Sequence, residues 1–210
     1  MKRAQGFSLV ELLAVVAAGG LLAFVLATVL QKNMGNAGMA ATASNGVGIY
    51  QVAFAMHTEE VFDLPLPWPG EGDFASTTDL FKHLVTNDWL CVSYDFFAAP
   101  GIPAAQSNDP DDFKPENNAW KLVLGLDGAR DGTPCLFTRN YAISAVSTGE
   151  GPILPEQLMD NNGKPFGTAG LVVIQKGGAG LKLRKKSLRE ELFNPAGVPP
   201  DDRVLAVLDP

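Results

Sequence analysis

The chain has 210 residues, a formal charge of −7 and a hydrophobic fraction of 46%. That length suits one or two compact domains, and so apolar a composition excludes wholesale disorder. The acidic balance argues against a nucleic-acid partner, which asks for a basic face.

Lys2 and Arg3 stand near the start, and the 24 residues from Phe7 to Leu30 carry a single charge, Glu11. As a helix this run extends about 36 Å, enough to cross a hydrocarbon core of about 30 Å. The positive-inside rule then keeps Met1 cytoplasmic and sends the rest of the chain outward. The run is longer than the apolar stretch of a secretory signal. A buried core helix would rarely be apolar all round for 24 residues. A simple anchor explains everything except Glu11. A carboxylate within a membrane helix costs on the order of 3 kcal/mol and asks for a partner, unless it reaches the headgroups from near the end of the span.

Lys2-Arg3-Ala4-Gln5-Gly6 followed by Phe7-Ser8-Leu9-Val10-Glu11-Leu12-Leu13 resembles the leader and cleavage motif of type IV pilins and type II secretion pseudopilins. The resemblance is confined to the apolar N-terminal stretch. It implies cleavage after Gly6 by a prepilin peptidase, methylation of the new amine on Phe7, and pairing of Glu11 with the N-terminal amine of a neighbouring subunit. The implied partners are that peptidase, copies of the same chain, minor pilins or pseudopilins, an inner-membrane assembly platform and lipid. The implied location is the bacterial inner membrane, single-pass, with the head periplasmic or extracellular once assembled. Many pilins have a proline in the second half of the span. Here there is none between Phe7 and Leu30, and Gly19-Gly20 stands instead. Those glycines read either as a weak point in the helix or as close helix–helix packing through small residues.

Gln31 to His57 continues the helical pattern, with Ala43, Val47, Tyr50 and Phe54 forming one apolar stripe. Gly35, Gly38, Gly46 and Gly48 interrupt it and read as a frayed or kinked stretch. The proline-rich segment Leu64–Gly70 is a connector. Thr77 to Asp88 reads as a short helix capped by Ser76 or Thr77, with Leu80, Phe81, Leu84 and Val85 on one side. Trp89 to Phe97 reads as strand or packed loop, and Ala98 to Asn118 as a long surface loop. Strands are expected at Ala119–Leu124, Cys135–Ala142, Gly170–Gln175, Leu181–Leu183 and Val204–Leu208, with a turn at Gly177-Gly178. The sum is an α+β fold in which a long N-terminal helix packs on a small antiparallel sheet. The pilin fold has the same layout. The expected organisation is a leader at 1–6, a membrane and assembly helix at 7–30, its amphipathic continuation at 31–57 and a globular head at 58–210.

Cys91 and Cys135 lack metal-site spacing. They read either as a disulfide in an oxidising compartment or as two small buried hydrophobes. Asp109, Asp111 and Asp112 are candidate calcium ligands, with a solvated acidic loop the better reading. Otherwise no cofactor is expected. Asp160-Asn161-Asn162-Gly163 reads as a turn. Lys182, Arg184, Lys185, Lys186 and Arg189 form one basic cluster, and Glu190 and Glu191 follow it at once, so it reads as a solvated face. His57 and His83 are the only histidines, and no nucleophile, phosphate-loop or metalloprotease motif occurs, so the chain is not expected to be an enzyme. The sequence thus points to a structural subunit of a type IV pilus or a type II secretion pseudopilus. The alternative is a singly anchored exported binding protein that never polymerises.

Overall fold

The computed structural model describes residues 35–55, 68–70, 72–127, 129–143, 145–146, 163–184 and 205–210. By its contacts the chain divides into two units, Met1–Ala37 and Gly38–Pro210. In the first unit only residues 35–37 are described, and they are helical. The expectations for the leader, for the span at 7–30 and for Gly19-Gly20 lie outside the described residues. Among the described residues no helix is long and apolar enough to cross a membrane.

Residues 35–55 form helix α1. Met39, Thr42, Ala43, Gly46, Ile49 and Tyr50 are buried along it, which is the spacing of one helical face. The expected stripe is right at Ala43 and Tyr50, but Phe54 is 41% exposed and stacks on Tyr50 with ring centroids 5.5 Å apart. Gly46 takes the central place on the face. A methyl group added there would stand 2.5 Å from Trp120 Cη2 and 2.9 Å from Ile174 Cγ1. The glycine therefore marks the close approach of helix and sheet, not a kink. Gly38 has the same function against Pro100, whose Cγ would lie 2.6 Å from an added methyl.

Helix α2 spans Thr77–Thr86. Ser76 caps it as expected, its Oγ accepting from the Asp79 amide at 3.1 Å, while Leu80, Phe81 and Leu84 are buried. Its first turn is tied to the sheet. Thr77 Oγ1 donates to the Trp120 carbonyl at 2.9 Å, and Asn118 Nδ2 donates to Thr77 Oγ1 at 2.8 Å.

The strands are β1 (Trp120–Val123), β2 (Pro134–Thr138), β3 (Ala145–Val146), β4 (Gly170–Gln175), β5 (Gly180–Arg184) and β6 (Leu205–Leu208). They form one sheet in the order β3-β6-β1-β2-β4-β5, and every neighbouring pair is antiparallel. The α+β class and the strand positions follow the sequence reading closely. The β4–β5 turn falls at the expected glycines, with Gly178 at φ 82°. The second expected strand stops at Thr138, because Arg139 and Asn140 turn out of the ladder.

Strand β3 is not among the expected strands, and the other departures lie between α2 and β1. Residues Tyr94–Phe97 form a 3₁₀ turn within a packed loop. Ala98 to Asn118 is not simply a surface loop, since Phe113 is fully buried and stacks on Tyr94 with centroids 4.8 Å apart. Phe81 stacks on Phe97 at 4.4 Å, so this aromatic cluster joins α2 to the loop. The loop also holds α1: Asn45 Nδ2 donates to the Phe96 carbonyl at 3.0 Å. Helix α1 thus has the sheet on one side and the 94–100 loop on another.

Candidate functional site

Gly6, Phe7 and Glu11, which the sequence singles out, lie outside the described residues. Cys91 and Cys135 are described, and they are not paired. Cys91 is exposed after α2, its thiol directed at the Asp88 carbonyl at 3.5 Å. Cys135 is fully buried in β2, with Sγ 3.2 Å from the Ile174 carbonyl oxygen, and burial pushes its thiol pKa well up. One cysteine faces solvent and the other is locked in the sheet, so the disulfide reading gives way to separate roles.

Asp109, Asp111 and Asp112 serve local structure. Asp109 caps the 3₁₀ turn Pro110–Asp112 by accepting from the Asp111 amide at 2.9 Å, and Asp112 accepts from Ser107 Oγ. Among the described residues no cluster of three acidic, His or Cys side chains is arranged to hold a metal ion.

Grooves open on the head among the described residues, and two of them bear on function. The larger, about 660 Å³, lies where β2 ends and is lined by residues that include Glu116, Lys121, Arg139, Asn140, Lys164 and Asp209. Arg139 reaches it by turning out of β2. Its Nη1 donates to the Pro115 carbonyl at 2.7 Å and the Asn118 carbonyl at 3.0 Å. Burial lowers the guanidinium pKa, and the nearby Glu116 carboxylate opposes that shift. Lys121 Nζ is held by Asp209 Oδ1 at 2.7 Å. Asn140 donates from Nδ2 to the carbonyls of Gly167 and Gly170, both at 2.8 Å. Sequence reasoning did not find this cluster, since Arg139 and Lys164 meet only through the geometry of two loops. The second groove, about 500 Å³, runs along α1 past Val47, Tyr50 and Phe54 to the β4–β5 turn. Tyr50 donates its hydroxyl to the Lys176 carbonyl there. Burial raises the Tyr50 pKa, and the Asp131 carboxylate adds to the rise. Neither groove gathers a nucleophile with a base.

Residues 1–27 match the family model described as the prokaryotic N-terminal methylation motif. The chain carries the prepilin-type signature of type IV pilins and pseudopilins. The matched residues include Gly6, Phe7 and Glu11. No curated protein and no solved structure matches the chain. The prepilin-type motif implies processing by a prepilin peptidase and a precursor associated with the cell envelope.

Proposed function

We propose that the chain is a structural subunit, a pilin or pseudopilin, cut between Gly6 and Phe7 and methylated on Phe7. The mature subunit is built into a type IV pilus or a type II secretion pseudopilus. The match at residues 1–27 carries this reading. Glu11 supports it, because it is the one charge between Phe7 and Leu30. A charge that costs on the order of 3 kcal/mol alone in lipid gains a counter-ion when the amine of the next subunit meets it. It then sets the register of assembly, as a buried polar pair does in a coiled coil. The antiparallel α+β head, with α1 against its sheet, is compatible with this design. We read the chain as structural, not enzymatic.

Intact mass spectrometry of the membrane-extracted protein tests the processing. The expected mature chain begins at methylated Phe7, and a chain still beginning at Met1 refutes the reading. Glu11→Ala should insert normally and fail to assemble, and normal filaments from this variant would refute the pairing. Deleting the gene separates the two assemblies: loss of surface fibres marks the pilus, and loss of an exported enzyme marks the secretion system.

A further inference from the structure

The charges of the head separate when they are ordered along α1. Gly38, near the start of α1, packs on Pro100, and the next residue, Gly101, approaches Lys164 and the Pro165 carbonyl. Met39 lies against Gly170, and Gly170 is paired across the β4–β5 ladder with Arg184. Lys182 pairs with Val172, two residues up the same face. Lys164, Lys182 and Arg184 are all exposed, and the two lysines make no ion pair among the described residues. Arg139 stands nearby, beside Asn140, which is bonded to Gly170. Among the described acids near this end, Asp209 holds Lys121, and Glu116 is close enough to Arg139 to act on its pKa.

Two described carboxylates lie at the other end of the sheet. Asp127 and Asp131 lie on the β1–β2 connection, at the far end of the strands. The acidic run at Asp109–Asp112 follows Asn108, which accepts from the Tyr94 amide. Tyr94 belongs to the same 3₁₀ turn as Phe96, and Phe96 lies against Gly48, ten residues along α1 from Gly38. At about 1.5 Å per residue that anchor is roughly 15 Å up the helix. Among the described residues, Lys164, Lys182 and Arg184 thus stand exposed around the end where α1 begins.

We propose that this end of the head is a docking surface for anionic lipid headgroups, with Lys164, Lys182 and Arg184 as its cations. The proposal rests on the reading of residues 7–30 as a membrane span. Only residues 31–34 separate that apolar run from the first described residue of α1, and strand β5 runs toward the same end. In the sequence the next residues after Arg184 are Lys185 and Lys186. The cations are spread over a loop and a strand, with no enclosed pocket between them among the described residues. A planar anionic surface engages such a set together, whereas a compact ligand meets one at a time.

The test uses the full chain reconstituted in vesicles of phosphatidylcholine alone or mixed with phosphatidylglycerol. Amide hydrogen exchange is read over residues 163–184. Exchange should be slower in the anionic vesicles, and high salt should abolish the difference. Each cation near an anionic surface shifts the docked-to-free ratio about fivefold. The Lys164→Glu/Lys182→Glu/Arg184→Glu variant should lose the protection, and the milder Lys164→Gln/Lys182→Gln variant should lose part of it with an unchanged circular dichroism spectrum. Equal exchange in both vesicle types, or protection that survives charge reversal, overturns the proposal. So does equal protection from inorganic phosphate added to the neutral vesicles, which assigns the cations to free phosphate. Protein that stays in the supernatant of both vesicle types overturns the membrane-span reading itself, and the docking proposal with it.

Discussion

Replacing Gly46 with alanine sets two effects against each other. In an exposed helix interior the change gains roughly 1 kcal/mol, because glycine has more backbone entropy to lose. At Gly46 the added methyl would sit 2.5 Å from Trp120 Cη2 and 2.9 and 3.0 Å from the Ile174 side chain. Trp120 and Ile174 are both fully buried, so neither can swing into solvent. Overpacking of this kind costs about 1–3 kcal/mol or more. The contact with the rigid indole places the cost in the upper half of that range, for a net loss of about 1–2 kcal/mol. Gly35 provides the control, since an added methyl there meets nothing within 4 Å. Gly35→Ala should be neutral or stabilising by up to about 1 kcal/mol. Urea denaturation of the detergent-solubilised chain, followed by tryptophan fluorescence, measures both. A Gly46→Ala midpoint equal to or above that of the parent protein would refute the claim that this glycine admits the sheet.

Alkaline pH should destabilise the head through Tyr141. Burial pushes its pKa up to about 12 from an ordinary 10, so the unfolded state gives up the proton first. The stabilisation is complete below about pH 10 and falls by roughly 2–3 kcal/mol as pH rises to about 12. Tyr141→Phe should make that decline shallower in a pH series of thermal melts, leaving the shares of Cys135 and Tyr50, whose pKa values burial also raises. Iodoacetamide should alkylate Cys91 in the native chain and reach Cys135 only after denaturation, as peptide mass mapping would show; equal labelling of both contradicts their placement. Ser76→Ala should lower stability by about 1 kcal/mol through loss of the α2 cap, measured by the same urea titration.

How much the sequence discloses depends on the range of the interaction. Gly170–Gln175 is legible because four consecutive apolar residues, three of them β-branched, sit between glycine signals. The α2 start is legible because a serine cap acts on an amide three residues away. Phe113 lies in a proline- and aspartate-rich stretch that reads as surface, and only its stacking on Tyr94, far away in sequence, makes it core. The glycines of α1 mislead for the same reason. Local propensity counts Gly46 as a helix fault, whereas the distant Trp120 makes it a fitting point. For function, Gly6, Phe7 and Glu11 stand out because their chemistry is written in consecutive residues. The cations around the start of α1 come from Lys164 and the β5 strand. They meet only through the β4–β5 ladder and the contacts of Gly101 and Gly170, which no spacing rule anticipates.

Strand β6 lies inside the sheet, bonded to β1 on one side and β3 on the other, and its neighbour Asp209 accepts from the Thr77 amide at the start of α2. Yet more than eighty residues separate it from β1. Until Leu205–Leu208 arrives, β3 has no partner and β1 has an open edge. If the head is exported while Met1 stays cytoplasmic, the segment bearing β1 crosses well before Leu205–Leu208, and the sheet stays open for most of the passage. Only near the end can one short segment lock helix, loop and sheet into a shape that a filament or a piston could use.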